Sequence, residues 1–265
     1  MDFKIIHKII ESPIVSMGNI RLRQPIPSGG IEMVDPFLLL HHYGPYAISP
    51  FNNPFDVGAH PHRGFEPITL LFKGEQLHRD SLGNEVIVKA GDVQWVTAGR
   101  GIVHSEGPTK DFIEKTGDLE GIQLWLNLPA NKKMIPPNYQ HIKASQVPVI
   151  ENADKSILLK IIAGIQDGKK GLINTHTSVN VFTIDAKNQG ELNFNVPKGH
   201  KALIYLLQGE ALINNTVKLL KGKNQMITFK EEGSKLKLEA KQGSVLLFLS
   251  GEPINEKVTS WGPML

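Results

Sequence analysis

The segments GAHPHRGFE and GRGIVHSEGP hold the residues best suited to chemistry in this sequence: His60 and His62 in the first, His104 and Glu106 in the second. In each pair the side chains stand two positions apart. On a β-strand that spacing sends both to one face, near enough to share a metal ion. If the two pairs lie on neighbouring strands, three imidazoles and one carboxylate converge. This donor set suits iron, manganese, nickel, copper or zinc better than calcium or magnesium. Four protein ligands on a six-coordinate ion leave two positions for water, dioxygen or substrate. The sequence has no cysteine, so thiolate ligands and disulfides are excluded.

Other residues of similar chemistry have simpler readings. His41 and His42 follow the apolar run DPFLLL; adjacent strand residues point to opposite faces, so they are read as structural rather than as a ligand pair. His78, His141, His176 and His200 each stand alone and are read as surface or satisfied core histidines. Arg63 and Arg100 flank the ligand motifs, where they orient carboxylates behind the ligands, attract an anionic substrate, or only tie loops together. In IQLWLNL, alternation puts Ile122, Leu124 and Leu126 on one face and Gln123, Trp125 and Asn127 on the other, and either face can line a barrel. Core packing is the expected role of Trp95 and Trp125.

The elements that must position these side chains read as strands. Runs such as PITLLF, EVIVK, VQWVT and IQLWLNL are rich in β-branched and aromatic residues and are separated by glycine-containing turns. Helix signals are scarce, and the strand spacing is that of a sandwich or barrel. An internal repeat, LLFKGEQLHRDSLGNEVIVKAGDVQWVT answered by IYLLQGEALINNTVKLLKGKNQMITF, aligns Gly74 with Gly209, Leu77 with Leu212 and Gly91 with Gly222. Each copy is one barrel. Pro136-Pro137, in a polar stretch that cannot continue a strand ladder, sets the expected boundary, giving domains of 1–135 and 136–265. PTKDFIEKTG reads as an exposed excursion from the first barrel, and GEPINEKVTSWGPML as a tail packing back across a barrel. Aligning the copies places Asn195 and Pro197 at the positions of His60 and His62, and Lys235 and Lys237 at those of His104 and Glu106. The second barrel is therefore expected to hold no metal.

The 265 residues can bury a substantial core, and the net charge is +3. From Pro136 onward 16 lysines face 11 acidic residues, but they are scattered without a compact cluster, as on solvated strand faces. No nucleic-acid surface is expected. Charged residues interrupt the apolar residues of the N-terminal segment MDFKIIHKIIESPIV, and no run reaches the roughly 20 apolar residues of a membrane span. A cytoplasmic protein without membrane contact is expected.

HPHRGFE, GDVQWVTAGRGIVHSE and the late GEPINE followed by WGP resemble segments of the pirin family, within the bicupin branch of the cupin superfamily, over nearly the whole chain. The resemblance implies an all-β fold of two tandem cupin-like jelly-roll barrels. It also implies one iron ion in the first, held by His60, His62, His104 and Glu106. Iron(II) is the expected ion, with manganese, nickel, copper and zinc as alternatives. Many cupins place a further carboxylate ligand where Glu66 stands, but the pirin pattern uses Glu106, so Glu66 is expected to be structural or to support the ligands. Pirins continue past the equivalent of WGP, where this sequence ends at Leu265, so contacts made through such an extension are not carried over.

Several pirins cleave the flavonol quercetin oxidatively. The resemblance thus implies a quercetin 2,3-dioxygenase-type oxidoreductase acting on a small aromatic substrate with O2, with Glu106 as general base. Other pirins act as iron- and redox-dependent partners of a transcription factor or metabolic enzyme, which implies an alternative non-catalytic role with a protein partner. An unrelated isomerase or storage role fits the GRGIVHSE run less well. An open coordination position beside a concave apolar approach separates an enzyme from a sensor closed over its metal.

Overall fold

The computed structural model describes residues 2–259, and strands dominate them. In chain order the first strands are β1 (Ile6–Glu11), β2 (Ile14–Met17), β3 (Ile20–Ile26), β4 (Phe37–Ile48), β5 (Val57–His62) and β6 (Phe65–Lys73). Next come β7 (Glu75–Asp80), β8 (Glu85–Lys89), β9 (Val93–Thr97), β10 (Ile102–Pro108), β11 (Gly117–Asn127) and β12 (Asn138–Ile142). The second half has β13 (Val149–Glu151), β14 (Ile157–Ala163), β15 (Ile165–Gln166), β16 (Lys169–Lys170), β17 (Val179–Ala186) and β18 (Gly190–Asn195). It continues with β19 (Lys201–Gln208), β20 (Ala211–Ile213), β21 (Val217–Leu219), β22 (Gln225–Phe229), β23 (Lys235–Ala240) and β24 (Val245–Gly251). Among the described residues the one α-helix is α1 (Lys110–Lys115), in the expected excursion, started by Thr109, whose side chain accepts the Phe112 N–H. No helix among them is long and apolar enough to cross a membrane.

Two compact units result, each a sandwich of a seven-stranded and a four-stranded sheet. The first barrel comprises Ile14–Ile26, Phe37–Gln146 and the segment from Ile254. Its sheets run β12-β9-β6-β11-β4-β3-β2 and β5-β10-β7-β8. The second barrel comprises the chain up to Pro13, Pro27–Pro36 and Val147–Pro253. Its sheets run β1-β22-β19-β24-β17-β14-β13 and β18-β23-β20-β21, with a small β15-β16 hairpin. The orders match: β6, β9, β11 and β4 correspond to β19, β22, β24 and β17, and the site strands β5, β10 and β7 to β18, β23 and β20. The chain is therefore an all-β bicupin, as the repeat predicts.

The units do not follow a single cut at residue 136. Pro136-Pro137 precedes a strand rather than ending the ladder: β12 begins at Asn138 and pairs along β9 from Asn138↔Thr97 to Ile142↔Val93. At the other end, β1 pairs with β22. Of the predicted tail, the Glu256 carboxylate accepts the Ala130 N–H at 2.8 Å within the first barrel; Trp261 to Leu265 lie outside the described residues.

Candidate metal centre

Register delivers the two histidine-bearing motifs to one face. β5 pairs with β10 so that His60 lies opposite His104. On its other edge β10 pairs with β7, setting Glu106 opposite His78 and His104 opposite Asp80. Directly paired residues share a sheet face. The turns behind them are tied together: Gly64 donates its N–H to Gly99 O at 2.8 Å, and Lys133 Nζ donates to Gly64 O and Asn127 Oδ1 at 2.9 and 2.7 Å. Gly99 has φ +51°, and a Cβ there would lie 2.2 Å from the Ile135 carbonyl oxygen, so the GRG loop requires glycine at this point.

One ligand atom from each of His60, His62 and His104 falls in a group whose members lie within 4.8 Å of one another. Glu106 belongs instead to an overlapping group with His104 and His78, its Oε1 3.8 Å from His104 Nδ1. His78, read above as an isolated histidine, thus adjoins the predicted set. The signal for it was in the sequence: His78 and Asp80 have the same two-apart spacing as the other pairs.

The donor set fits a cation. His60 Nδ1–H donates to Gly58 O at 2.8 Å, which leaves Nε2 as the lone-pair nitrogen. His104 is buried and neither of its ring nitrogens has a hydrogen-bond partner. An unpaired polar group of this kind costs about 1–3 kcal/mol, which coordination would remove. Burial, with His60 and His78 acting in the same direction, lowers the His104 pKa to about 3, so the ring is neutral, as a metal ligand must be.

Glu106 is held by acceptor contacts. Its Oε1 accepts from Thr69 Oγ1 at 3.2 Å and from Gln94 Nε2, while Oε2 accepts from Gln123 Nε2 at 3.2 Å. Those donors form a row across three strands, Gln94 opposite Thr69 and Thr69 opposite Gln123, with His41 opposite Gln123 on the next strand. The polar face of IQLWLNL is therefore the inner one.

The second barrel has the same positions with different chemistry. Ile204 pairs with Ile227 and Phe248, as Thr69 does with Gln94 and Gln123, and Phe182 pairs with Phe248 as His41 does with Gln123. Leu212 stands opposite Glu239 as Leu77 stands opposite Gly107, so Leu238 corresponds to Glu106, Leu236 to His104 and Ile213 to His78. Phe194 faces Leu236 as His60 faces His104, which puts Val196 at the position of His62. All belong to one apolar core. The alignment onto Asn195, Pro197, Lys235 and Lys237 is thus offset by one residue, onto the outward face; the conclusion that these positions offer no ligand set is unchanged.

The remaining candidates fall as follows. Glu66 sits on the opposite face of β6 from Thr69, fully buried, accepting from Thr97 Oγ1 at 2.6 Å; burial raises its pKa to about 7. His41 Nε2 meets Gln24 Oε1 at 2.8 Å and His42 Nε2 meets Glu120 Oε1 at 3.1 Å, on opposite faces as adjacency requires. His141 contacts Asp92, His200 contacts Ser250, and His176 precedes β17. Arg63 donates to Met134 Sδ at 3.3 Å, not to a carboxylate. Arg100 donates its backbone N–H to Ile135 O. Trp95 is fully buried, whereas Trp125 packs against Phe65 with ring centroids 4.4 Å apart and planes tilted by 33°, and lines a cavity.

That cavity, about 650 Å³, opens beside the histidines. Its walls include Leu22, Leu39, Tyr43, Phe55 and Trp125, and His60, His62 and Glu106 face into it. Tyr43 stacks on Phe55 at 4.4 Å, and its ring passes where Gly121 has no side chain: a Cβ there would lie 2.2 Å from the Tyr43 hydroxyl.

These features define a two-barrel cupin with a candidate metal centre and an adjoining apolar cavity in the first barrel. Residues 19–126 match the pirin family model, and residues 181–265 match that of the pirin C-terminal cupin domain. The chain belongs to the pirin family. It is 36% identical, over 88% of its length and 81% of the relative's, to a Pseudomonas aeruginosa protein provisionally named a quercetin 2,3-dioxygenase. It is also similar to the crystal structure of quercetin 2,3-dioxygenase from Acinetobacter baumannii, with TM-score 0.91, 33% identity and coverage of 99% of this chain and 91% of that one. The bacterial pirin YhhW from Escherichia coli, crystallised with nickel(II), shares the fold at TM-score 0.72 and 18% identity, over 93% of this chain and 100% of that one.

Proposed function

We propose that the protein is a metal-dependent, quercetin 2,3-dioxygenase-type oxidoreductase that cleaves a flavonol-like substrate with O2. The observation that carries this reading is the 650 Å³ apolar cavity into which His60, His62 and Glu106 face. A sensor that closes over its metal has no use for such an approach. The names of the Pseudomonas and Acinetobacter relatives support the same reaction class.

His60, His62 and His104 would hold the ion, with Glu106 as the fourth ligand, and iron(II) is the expected metal. When bound, the ion would supply Lewis-acid stabilisation of a substrate oxyanion and a place for dioxygen. The chain's own residues do the rest. Leu39, Phe55 and Trp125 clasp a flat aromatic substrate and exclude water from it. Glu106 accepts the proton of the substrate hydroxyl as general base. Oε2, with the single donor Gln123, is the oxygen placed to take it, while Thr69 and Gln94 fix Oε1.

The test is to load the purified protein separately with iron(II), manganese, cobalt, nickel, copper and zinc and follow quercetin loss under oxygen. His62→Ala is the control. Metal-dependent turnover that disappears in the variant is the expected result. Stoichiometric metal uptake without turnover by any ion overturns the enzyme reading in favour of a redox-responsive binding protein.

A further inference from the structure

His78 is the buried group that the proposed reaction leaves unused. Its side chain is fully enclosed, with Nε2 3.0 Å from Asp80 Oδ2. Asp80 is itself locked as an acceptor: its Oδ1 takes the backbone N–H groups of Leu82 and Asn84, and both oxygens take Asn84 Nδ2. Nε2 of His78 must therefore carry the proton, and Nδ1 presents a lone pair. That Nδ1 is buried without a hydrogen-bond partner. A carboxylate that fixes the far nitrogen of an imidazole is the usual support of a metal-ligating histidine.

The lone pair has company. A ligand atom of His78 lies with those of His104 and Glu106 in a group spanning no more than 4.8 Å. His104 belongs to both this group and the His60–His62 group, and neither of its ring nitrogens is engaged by a hydrogen bond. The residue corresponding to His78 in the second barrel is Ile213, part of an apolar core, so the scaffold itself does not need an imidazole there. Tyr139 stacks on the His78 ring at 4.6 Å, within 17° of parallel, and restrains its orientation.

We propose that His78, His104 and Glu106 form a second, inner metal position overlapping the outer one, so that a single divalent transition-metal ion resides at either of two places sharing His104 and Glu106. This rests on the reading that the first barrel binds such an ion. His60 and His62 face the cavity, whereas neither His78 nor His104 does. Of the inner three only Glu106 lines the cavity, so an ion at the inner position lies behind the outer one, away from His60 and His62.

The test loads cobalt(II) into four folded proteins: wild type, His78→Ala, the double variant His60→Ala/His62→Ala, and the triple variant lacking all three. Metal per chain is measured after desalting, and visible absorption reports the ligand environment. Circular dichroism verifies the fold. One ion per chain is expected in the wild type and in His78→Ala. The double variant also binds one ion, more weakly and with a changed spectrum, and the triple variant binds none. A folded double variant that takes up no cobalt, or a triple variant that still does, overturns the inner position. A wild type that binds no ion overturns the metal reading beneath it.

Discussion

Glu106 and Glu66 are both buried carboxylates in one barrel, yet strand alternation separates their fates. Glu106 looks into the cavity with three side-chain donors around it. Glu66 looks the other way, its pKa raised to about 7 by burial. Glu106→Gln is expected to keep metal bound and lower kcat at least 100-fold, the usual worth of a positioned base, in the quercetin assay. Unchanged turnover with metal in place would remove the base assignment. Glu66→Gln is expected to leave metal stoichiometry unchanged. Because the folded pKa of Glu66 is the raised one, its contribution to stability is complete below about 4.5 and is lost as pH rises to about 7. The glutamine variant should therefore gain about 2–3 kcal/mol over the wild type between those limits in urea unfolding. The period-two spacing made His60, His62, His104 and Glu106 visible in the sequence. The same rule, applied to His78 and Asp80, would have marked the residue that was passed over. Trp125 was less legible, because both faces of IQLWLNL pattern equally well and only the assembled sheets decide which looks inward.

At the scale of elements, the site depends on loops that bring β5 and β10 into register. The GRG turn is the tightest point, with Gly99 in the left-handed region and pressed against the Ile135 carbonyl. Gly99→Ala is expected to cost about 2–4 kcal/mol in denaturant unfolding, adding backbone strain to a steric clash, and to weaken metal binding by displacing His104. An unchanged midpoint would show that the loop can shift freely. Strand identities and the repeat were legible from β-rich runs and turn glycines. The match between barrels slipped by one because the chain between each anchor glycine and its site strand is one residue longer in the second barrel: His60 precedes Thr69 by nine positions but Phe194 precedes Ile204 by ten, and His104 follows Gly91 by thirteen but Leu236 follows Gly222 by fourteen. A slip of one reverses every side chain. β12 was hidden by the proline pair before it, which marks where a strand cannot begin but says nothing of the residues beyond.

At the scale of the whole molecule, the second barrel serves as an internal reference for what the scaffold prefers. Giving the first barrel the second's residues, as Thr69→Ile, Gln94→Ile and Glu106→Leu together, is expected to stabilise the metal-free protein by about 1–3 kcal/mol while abolishing stoichiometric metal uptake. A loss of apo stability would mean the polar row is structural. Acid should act on the metal-free protein in a defined direction. The pKa values of His104 and His41 are lowered from 6.5 to about 3 and about 4, so the unfolded chain binds protons first and both groups withdraw stability as pH falls below 6.5. Glu66 opposes them between about 4.5 and 7. His200, also lowered by burial, adds to the two, so the histidines outweigh the one carboxyl and Glu66→Gln should steepen the loss of stability between about pH 6.5 and 4.5 by up to about 1.4 kcal/mol per pH unit in urea unfolding. The interleaving of the chain bears on how the protein is made. β1 is made more than 200 residues before its partner β22, which ends at Phe229, so through that stretch of synthesis an unpaired edge strand waits for the second barrel to supply its neighbour. A nascent chain arrested before Gln225 should carry β1 free, open to a chaperone or to another chain, even after the strands around His104 have closed.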